Sequence, residues 1–140
     1  MKAIIKTLFR VSVTFLFSIL LSVIIAGQTP AQEKTSKITF QETKHDFGKV
    51  KEGVELTYVY KFTNDGEESL VIKKVQASCG CTGASIGDKI EFKQGEEGEI
   101  KVLFSTKGRA GVQNKTVMVQ SNDPQNPSVV LSFTCEIINP

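Results

Sequence analysis

Two of the three cysteines in this 140-residue chain stand one glycine apart, in "QASCGCTGAS", residues 76–85. Cys79 and Cys81 at that spacing fit three chemistries. The first is redox: Cys-Gly-Cys can close a small ring because glycine relieves the backbone, and such a ring departs from relaxed disulfide geometry and is easily reduced. That use needs an exposed thiolate of low pKa. Lys73 and Lys74 are near in sequence, but strand alternation sends them to opposite faces, and no helix N-terminus is predicted beside the cysteines. The second is a soft-metal site. Two thiolates suit Cu(I) or Zn(II), with His45, Met118 or Cys135 as a further ligand. Zinc usually wants four ligands and wider spacing between paired cysteines, and the chain has one histidine. The third is structural. "SCGCT" ends a strand and turns the chain from one sheet towards the other, with Cys79, Gly80 and Cys81 small enough for a close crossing and cysteine behaving as a compact hydrophobe. The residues favour this third reading. Cys135 falls on the inward face of the last strand and reads as core; a disulfide from it to Cys79 or Cys81 stays open.

A second constellation is "HDFG", residues 45–48. An Asp-Phe-Gly triplet holds magnesium in kinases, but only beside a glycine-rich loop and a catalytic Asp-Asn segment, and this chain has neither. Here Phe47 reads as a core plug, Gly48 as a bulge or turn position, Asp46 as bonding nearby backbone, and His45 as facing solvent. The sequence offers no Ser-His-Asp set, paired carboxylates or phosphate-cradling loop. No catalytic residue and no cofactor is assigned.

The elements that must carry these residues have period two. In "VELTYVYKF", Val54, Leu56, Tyr58, Tyr60 and Phe62 share a face, while Glu55, Thr57 and Lys61 share the other, which describes a strand buried on one side. "NDGEE" follows. Asn64 and Gly66 are read as structural there, with Asp65-Gly66 a reversal that uses glycine's tolerance of positive φ. In "LVIKKVQA" the apolar parity slips between Ile72 and Val75, which calls for a bulge. "EIKVLFS", "NKTVMVQ" and "SVVLSFTCEI" are further strands, "KITF" and "HDFGKV" two short ones, and two prolines keep "SNDPQNP" out of any ladder. Seven or so short strands with frequent turns predict an all-β fold, an Ig-like antiparallel β-sandwich. Its expected core is Phe40, Phe47, Leu56, Tyr58, Tyr60, Phe62, Ile72, Ile100, Val102, Phe104, Val117, Val119, Leu131 and Phe133.

The N-terminus reads differently. Lys2, Lys6 and Arg10 precede an apolar run from Val11 to Gly27, then a polar stretch, the order of a secretory signal peptide over residues 1–31. A retained anchor helix is the alternative. Residues 32–37 read as a solvated leader, and residues 38–140 as one domain. Without residues 1–31 the chain keeps 14 of its 17 basic residues against all 15 acidic ones. That balance, with no basic stripe, argues against nucleic acid, and no polybasic amphipathic helix points to membrane insertion after cleavage. The expected location is outside the cytoplasm: periplasm, cell envelope or secreted.

"HDFGKV", "YKFTNDGEESLVIKKVQASCGCT" and "GEEGEIKVLFSTKGRAGVQNKTVMVQSND", in this order, resemble the exported bacterial family known as domain of unknown function 1573. The resemblance runs from about Ile38 to Ile137. It implies an Ig-like sandwich akin to domains of sperm-protein and cilium-associated scaffolds, and brings no established activity and no catalytic residues. The chain departs from the family after "SCGCT", where Gln94-Gly95 takes a turn that relatives make with Pro-Gly. The function expected is a non-catalytic module that binds an envelope protein or polysaccharide partner, through an open sheet edge or the loops at one end. The alternative is a periplasmic thiol-redox or copper-binding protein built on Cys79 and Cys81.

Overall fold

The computed structural model describes residues 34–138. The expected signal peptide and the first two leader residues lie outside them. Nine strands follow in order: β1 (Ile38–Phe40), β2 (Lys44–Lys51), β3 (Glu55–Asn64), β4 (Leu70–Ala77), β5 (Thr82–Ser85), β6 (Glu91–Phe92), β7 (Glu97–Ser105), β8 (Gly111–Ser121) and β9 (Ser128–Ile138). They form a four-stranded sheet, β1-β3-β7-β5, and a five-stranded sheet, β2-β9-β8-β4-β6. The all-β sandwich is as the alternation predicts. The strand count is nine rather than about seven, because β5 and β6 have only four and two residues, too few for a period to show. One pairing is not antiparallel: β2 runs parallel to β9. Among the described residues no helix is long and apolar enough to cross a membrane.

The core forms where the inner faces meet. Tyr60, Phe62, Ile100, Val102 and Phe104 come from one sheet, and Ile72, Val117, Val119, Leu131, Phe133, Cys135 and Ile137 from the other. Phe104 and Phe133 meet with centroids 5.3 Å apart. Each large side chain buried this way contributes about 1.5–3 kcal/mol. Phe40, Phe47, Leu56 and Tyr58 pack against this core but are only half-buried. Val54, expected on the inner face of β3, lies before the strand and is 39% exposed. Ile38, Leu70 and Phe92 are buried although the periodicity does not single them out.

Both predicted irregularities occur. The β4–β8 register shifts between Ile72 and Lys74, so Ile72 and Val75 both point inward despite their odd spacing. The β2–β9 register shifts between Asp46 and Lys49, where Gly48 has φ 66°. Asp46 Oδ1 accepts from the Gly48 N–H at 2.9 Å, as expected for a carboxylate capping its own bulge.

One end of the sandwich is closed by buried polar side chains. Asn64 is fully buried. Its Oδ1 accepts from the N–H groups of Gly66 (3.0 Å) and Lys37 (3.3 Å), and its Nδ2 donates to the carbonyls of Glu68 (2.8 Å) and Phe92 (2.9 Å). The amide thus spends its whole hydrogen-bonding capacity inside the fold. Asp123, 1% exposed, accepts from the N–H groups of Ile38, Gln125 and Asn126 at 2.8–3.0 Å. Burial pushes its carboxyl up, but the hydrogen bonds outweigh burial and hold it below the usual carboxylate range. The leader is not solvated at this end: Ser36 is buried and donates to Asn122 O at 3.1 Å. Gly66 is structural for a reason other than the one expected. Its φ is not positive. A side chain there would collide with the backbone of Thr35 and lie 2.5 Å from Lys37 N, so the glycine admits the leader segment.

Candidate functional site

At the opposite end the chain crosses between sheets. β4 belongs to the five-stranded sheet and β5 to the four-stranded one, so residues 78–81 make the passage in four residues. The Ser78 N–H donates to Thr116 O at 2.9 Å and fastens the end of β4 to β8. Cys81 O accepts from the Ser105 N–H at 3.3 Å and fastens the start of β5 to β7. Between these two anchors Cys79 and Cys81 are joined by a disulfide. "SCGCT" therefore turns the chain from one sheet to the other, as the sequence suggests, and the sulfurs are paired with each other rather than with Cys135. Both cysteines are half-buried and Gly80 is exposed. A side chain at Gly80 would meet nothing within 4 Å, so close approach is not what Gly80 serves. Thr82 is buried beneath the ring, its Oγ1 at 3.4 Å from Cys79 Sγ and 3.9 Å from Cys81 Sγ.

Beside the crossing, β4 has an edge that no strand covers. β6 pairs only with Leu70 and Val71, and Ile72 N–H donates to Ile90 O at 2.8 Å; beyond that point no described strand pairs with Lys73–Ala77 on this side. The Ser78 N–H faces β8, and strand alternation turns the Gln76 peptide groups the same way, so those of Val75 and Ala77 face the uncovered side. Next to this edge lies a groove of ≈ 240 Å³ bordered by β4, β5 and the loop after β5, with Ile72, Val75, Ala84, Ile86 and Ile90 as its apolar lining. Lys73 and Lys74 stand at its rim. Ile90 is 49% exposed.

The other edge of this sheet is built differently. β2 carries Lys44, Lys49 and Lys51 and is broken by the Gly48 bulge, two devices that discourage strand addition. A hollow of ≈ 350 Å³ at the bulge is lined by Asp46, Gly48, Lys49, Thr134, Cys135 and Glu136 among others. Its charges are used locally: the Gly48 N–H and then the Thr134 hydroxyl hold the Asp46 carboxyl below the usual range, and Lys49 pairs with Glu136 at 3.9 Å. Phe47 packs against Phe133 with centroids 5.6 Å apart, at the rim of the core rather than as the buried plug expected. His45 does not face solvent. It is half-buried, stacked on Tyr58 at 3.5 Å and edge-on to Phe47 at 4.6 Å.

The metal reading of Cys79, Cys81 and His45 finds no assembled ligand set: among the described residues no group of three His, Cys, Asp or Glu side chains could hold a metal, and the paired sulfurs carry no thiolate. Cys135 is a free, buried thiol. Burial, helped by the Asp46 carboxylate, pushes its pKa up, against a smaller downward pull from Lys115.

Several residues that shape these regions escape sequence reasoning. Asn64 reads as structural, but "NDG" and "SND" spell turns, and nothing in their letters tells that Asn64 and Asp123 are buried. Thr106, also fully buried, accepts from the Val54 N–H at 2.8 Å and lies 2.9 and 3.0 Å from the Val54 and Lys51 carbonyls. Its signal is a β-branched polar residue at an inward position just past β7. Ile86 and Ile90 are legible as two isoleucines in an otherwise polar loop with no strand to bury them.

Known proteins are similar in sequence family and in fold. The family model described as a protein of unknown function (DUF1573) matches residues 38–137. No curated protein sequence matches the chain. A protein of unknown function from Porphyromonas gingivalis W83 is 20% identical with a TM-score of 0.65; the match covers 78% of this chain and 51% of that one, so the chain spans about half its length. The ASH/PapD-like domain 7 of human CEP192 is 9% identical with a TM-score of 0.59, over 81% of this chain and 93% of that domain. The VesB protease of Vibrio cholerae is 12% identical with a TM-score of 0.57, over 74% of this chain but only 31% of the protease. At these identities the likeness is one of fold.

Proposed function

Starting from a chain that belongs to the DUF1573 family of proteins of unknown function, we propose that it is an exported, non-catalytic β-sandwich that binds a protein segment in extended conformation along the β4 edge. The uncovered run Lys73–Ala77 beside an apolar groove is the observation that carries this reading. An added strand would take its affinity from the Val75 and Ala77 peptide groups, and its specificity from alternate side chains entering the groove. A protein partner is favoured over a polysaccharide because the large apolar side chains exposed among the described residues are aliphatic, whereas the aromatic rings that would stack on sugars are buried or half-buried. Export is supported by the N-terminal sequence and by the disulfide, which persists in oxidising compartments.

The reading is tested with a photo-crosslinking amino acid placed at Val75 or, as a control, at Thr116 on the exposed face of β8, in the cells that make the protein. Discrete adducts in the envelope fraction from position 75 and none from position 116 support the β4 edge. Equal adducts from both, or none from either, count against it.

A further inference from the structure

We propose that the Cys79–Cys81 disulfide is a thiol–disulfide exchange site that accepts two electrons from a small thiol without unfolding the sandwich. The inference is independent of the binding reading above.

Four observations carry it. The ring encloses only Cys79, Gly80 and Cys81, and a disulfide restrains the unfolded chain less the shorter its loop. The two anchors of the crossing, Ser78 on Thr116 and Ser105 on Cys81, are backbone hydrogen bonds that do not pass through the sulfurs. Opening the ring therefore leaves both sheets tied. Access is also present: both cysteines are half-exposed, and the space above Gly80 is empty to 4 Å. Finally, the Thr82 hydroxyl lies within hydrogen-bonding reach of both sulfurs, so it can donate to whichever leaves as thiolate.

The two sulfurs are not equivalent. Cys81 packs against the core and Cys79 does not, so an incoming thiolate reaches the Cys79 sulfur. The thiol's sulfur bonds to Cys79 Sγ as the Cys79–Cys81 bond breaks, and the electron pair leaves on Cys81 Sγ, which takes a proton from solvent. A second thiolate attacks the thiol-derived sulfur of this mixed disulfide, forming a small-molecule disulfide and releasing Cys79. The protein disulfide is reduced to two thiols, and two thiols are oxidised to one disulfide. Cys135 takes no part, because it is buried on the inward face of β9.

The full chain, isolated as its host exports it, is equilibrated in buffers of reduced and oxidised glutathione. Free thiols are then capped with a maleimide and located by mass spectrometry. The expected result is that Cys79 and Cys81 become free together, reversibly, over a bounded range of buffer ratio. The β-type circular-dichroism spectrum stays constant and Cys135 stays uncapped. Neither cysteine being capped until denaturant unfolds the chain would overturn the proposal, and so would loss of the β spectrum as they are reduced. Two variants test the roles. Cys81→Ser should capture glutathione on Cys79 faster than Cys79→Ser captures it on Cys81, and the reverse order contradicts the assigned attack. Thr82→Val should slow reduction about fivefold, and an unchanged rate removes Thr82 from the site.

Discussion

The two ends of this sandwich are closed by different means. At the Asn64 end, side chains without net charge or with one buried carboxylate bind backbone groups from four separate segments, and the leader is drawn in over a glycine. At the crossing end buried Thr106 clasps the backbone of Lys51 and Val54, but the passage between sheets itself is held by two backbone hydrogen bonds and a three-residue ring. Uncompensated buried amides are costly, so the first end can open only by losing the fold. The second end can change its covalent state, and the strand edge beside it is uncovered. The contrast teaches where stability and where interaction are located in one small domain.

Mutation tests this contrast most severely at Asn64. Asn64→Ala strands buried backbone groups of Gly66 and Phe92 and part-buried ones of Lys37 and Glu68, and should cost about 4 kcal/mol, read as a fall in the urea midpoint at unchanged slope. Gly66→Ala should follow at about 3 kcal/mol, because the new methyl meets backbone that cannot swing aside. Were either substitution nearly neutral, the Asn64 end would not be the clasp described.

Asp123 sharpens the same point through pH. Its folded carboxyl is held below the ordinary value of 3.8, so its stabilisation is fully present above the unfolded-state pKa and is lost as pH falls through 3.8 and below. Urea midpoints should therefore be level from neutral pH to about 5 and drop in acid below about 4. Asp123→Asn should cost about 2 kcal/mol at neutral pH and flatten part of that acid slope. The smallest effect belongs to the other end. Replacing both Cys79 and Cys81 by serine should cost no more than about 1.6 kcal/mol, the chain-entropy value for so short a loop. A loss as large as that of Asn64→Ala would erase the difference between the ends.

Much of this is readable in the letters because burial imposes period two. The inner faces of β3, β7, β8 and β9 follow from alternation alone, and the parity slip in "LVIKKVQA" places the bulge of β4 between the right residues. The crossing at "SCGCT" is legible as a change of sheet. Its sulfur pairing is not, because three pairings of the cysteines are equally consistent with their spacing. Turn-forming residues mislead most. Gly66 stands in a sequence that spells a reversal, yet it serves a close approach to Thr35–Lys37, fixed by contacts across the chain that no local window contains. The solvent-facing reading of His45 fails for a related reason: its stack on Tyr58 depends on β2 pairing parallel to β9, and "HDFGKV" is too short to announce its partner or direction.

The claim that the β4 edge is open is tested most directly by native-state amide hydrogen exchange, read residue by residue along that strand. Gln76, facing β8, should exchange slowly, like Val117 and Val119 in the core, while its neighbours Val75 and Ala77 exchange orders of magnitude faster. Protection of Val75 and Ala77 equal to that of Gln76 would mean that the edge is already occupied or closed, and would contradict the binding surface assigned to it.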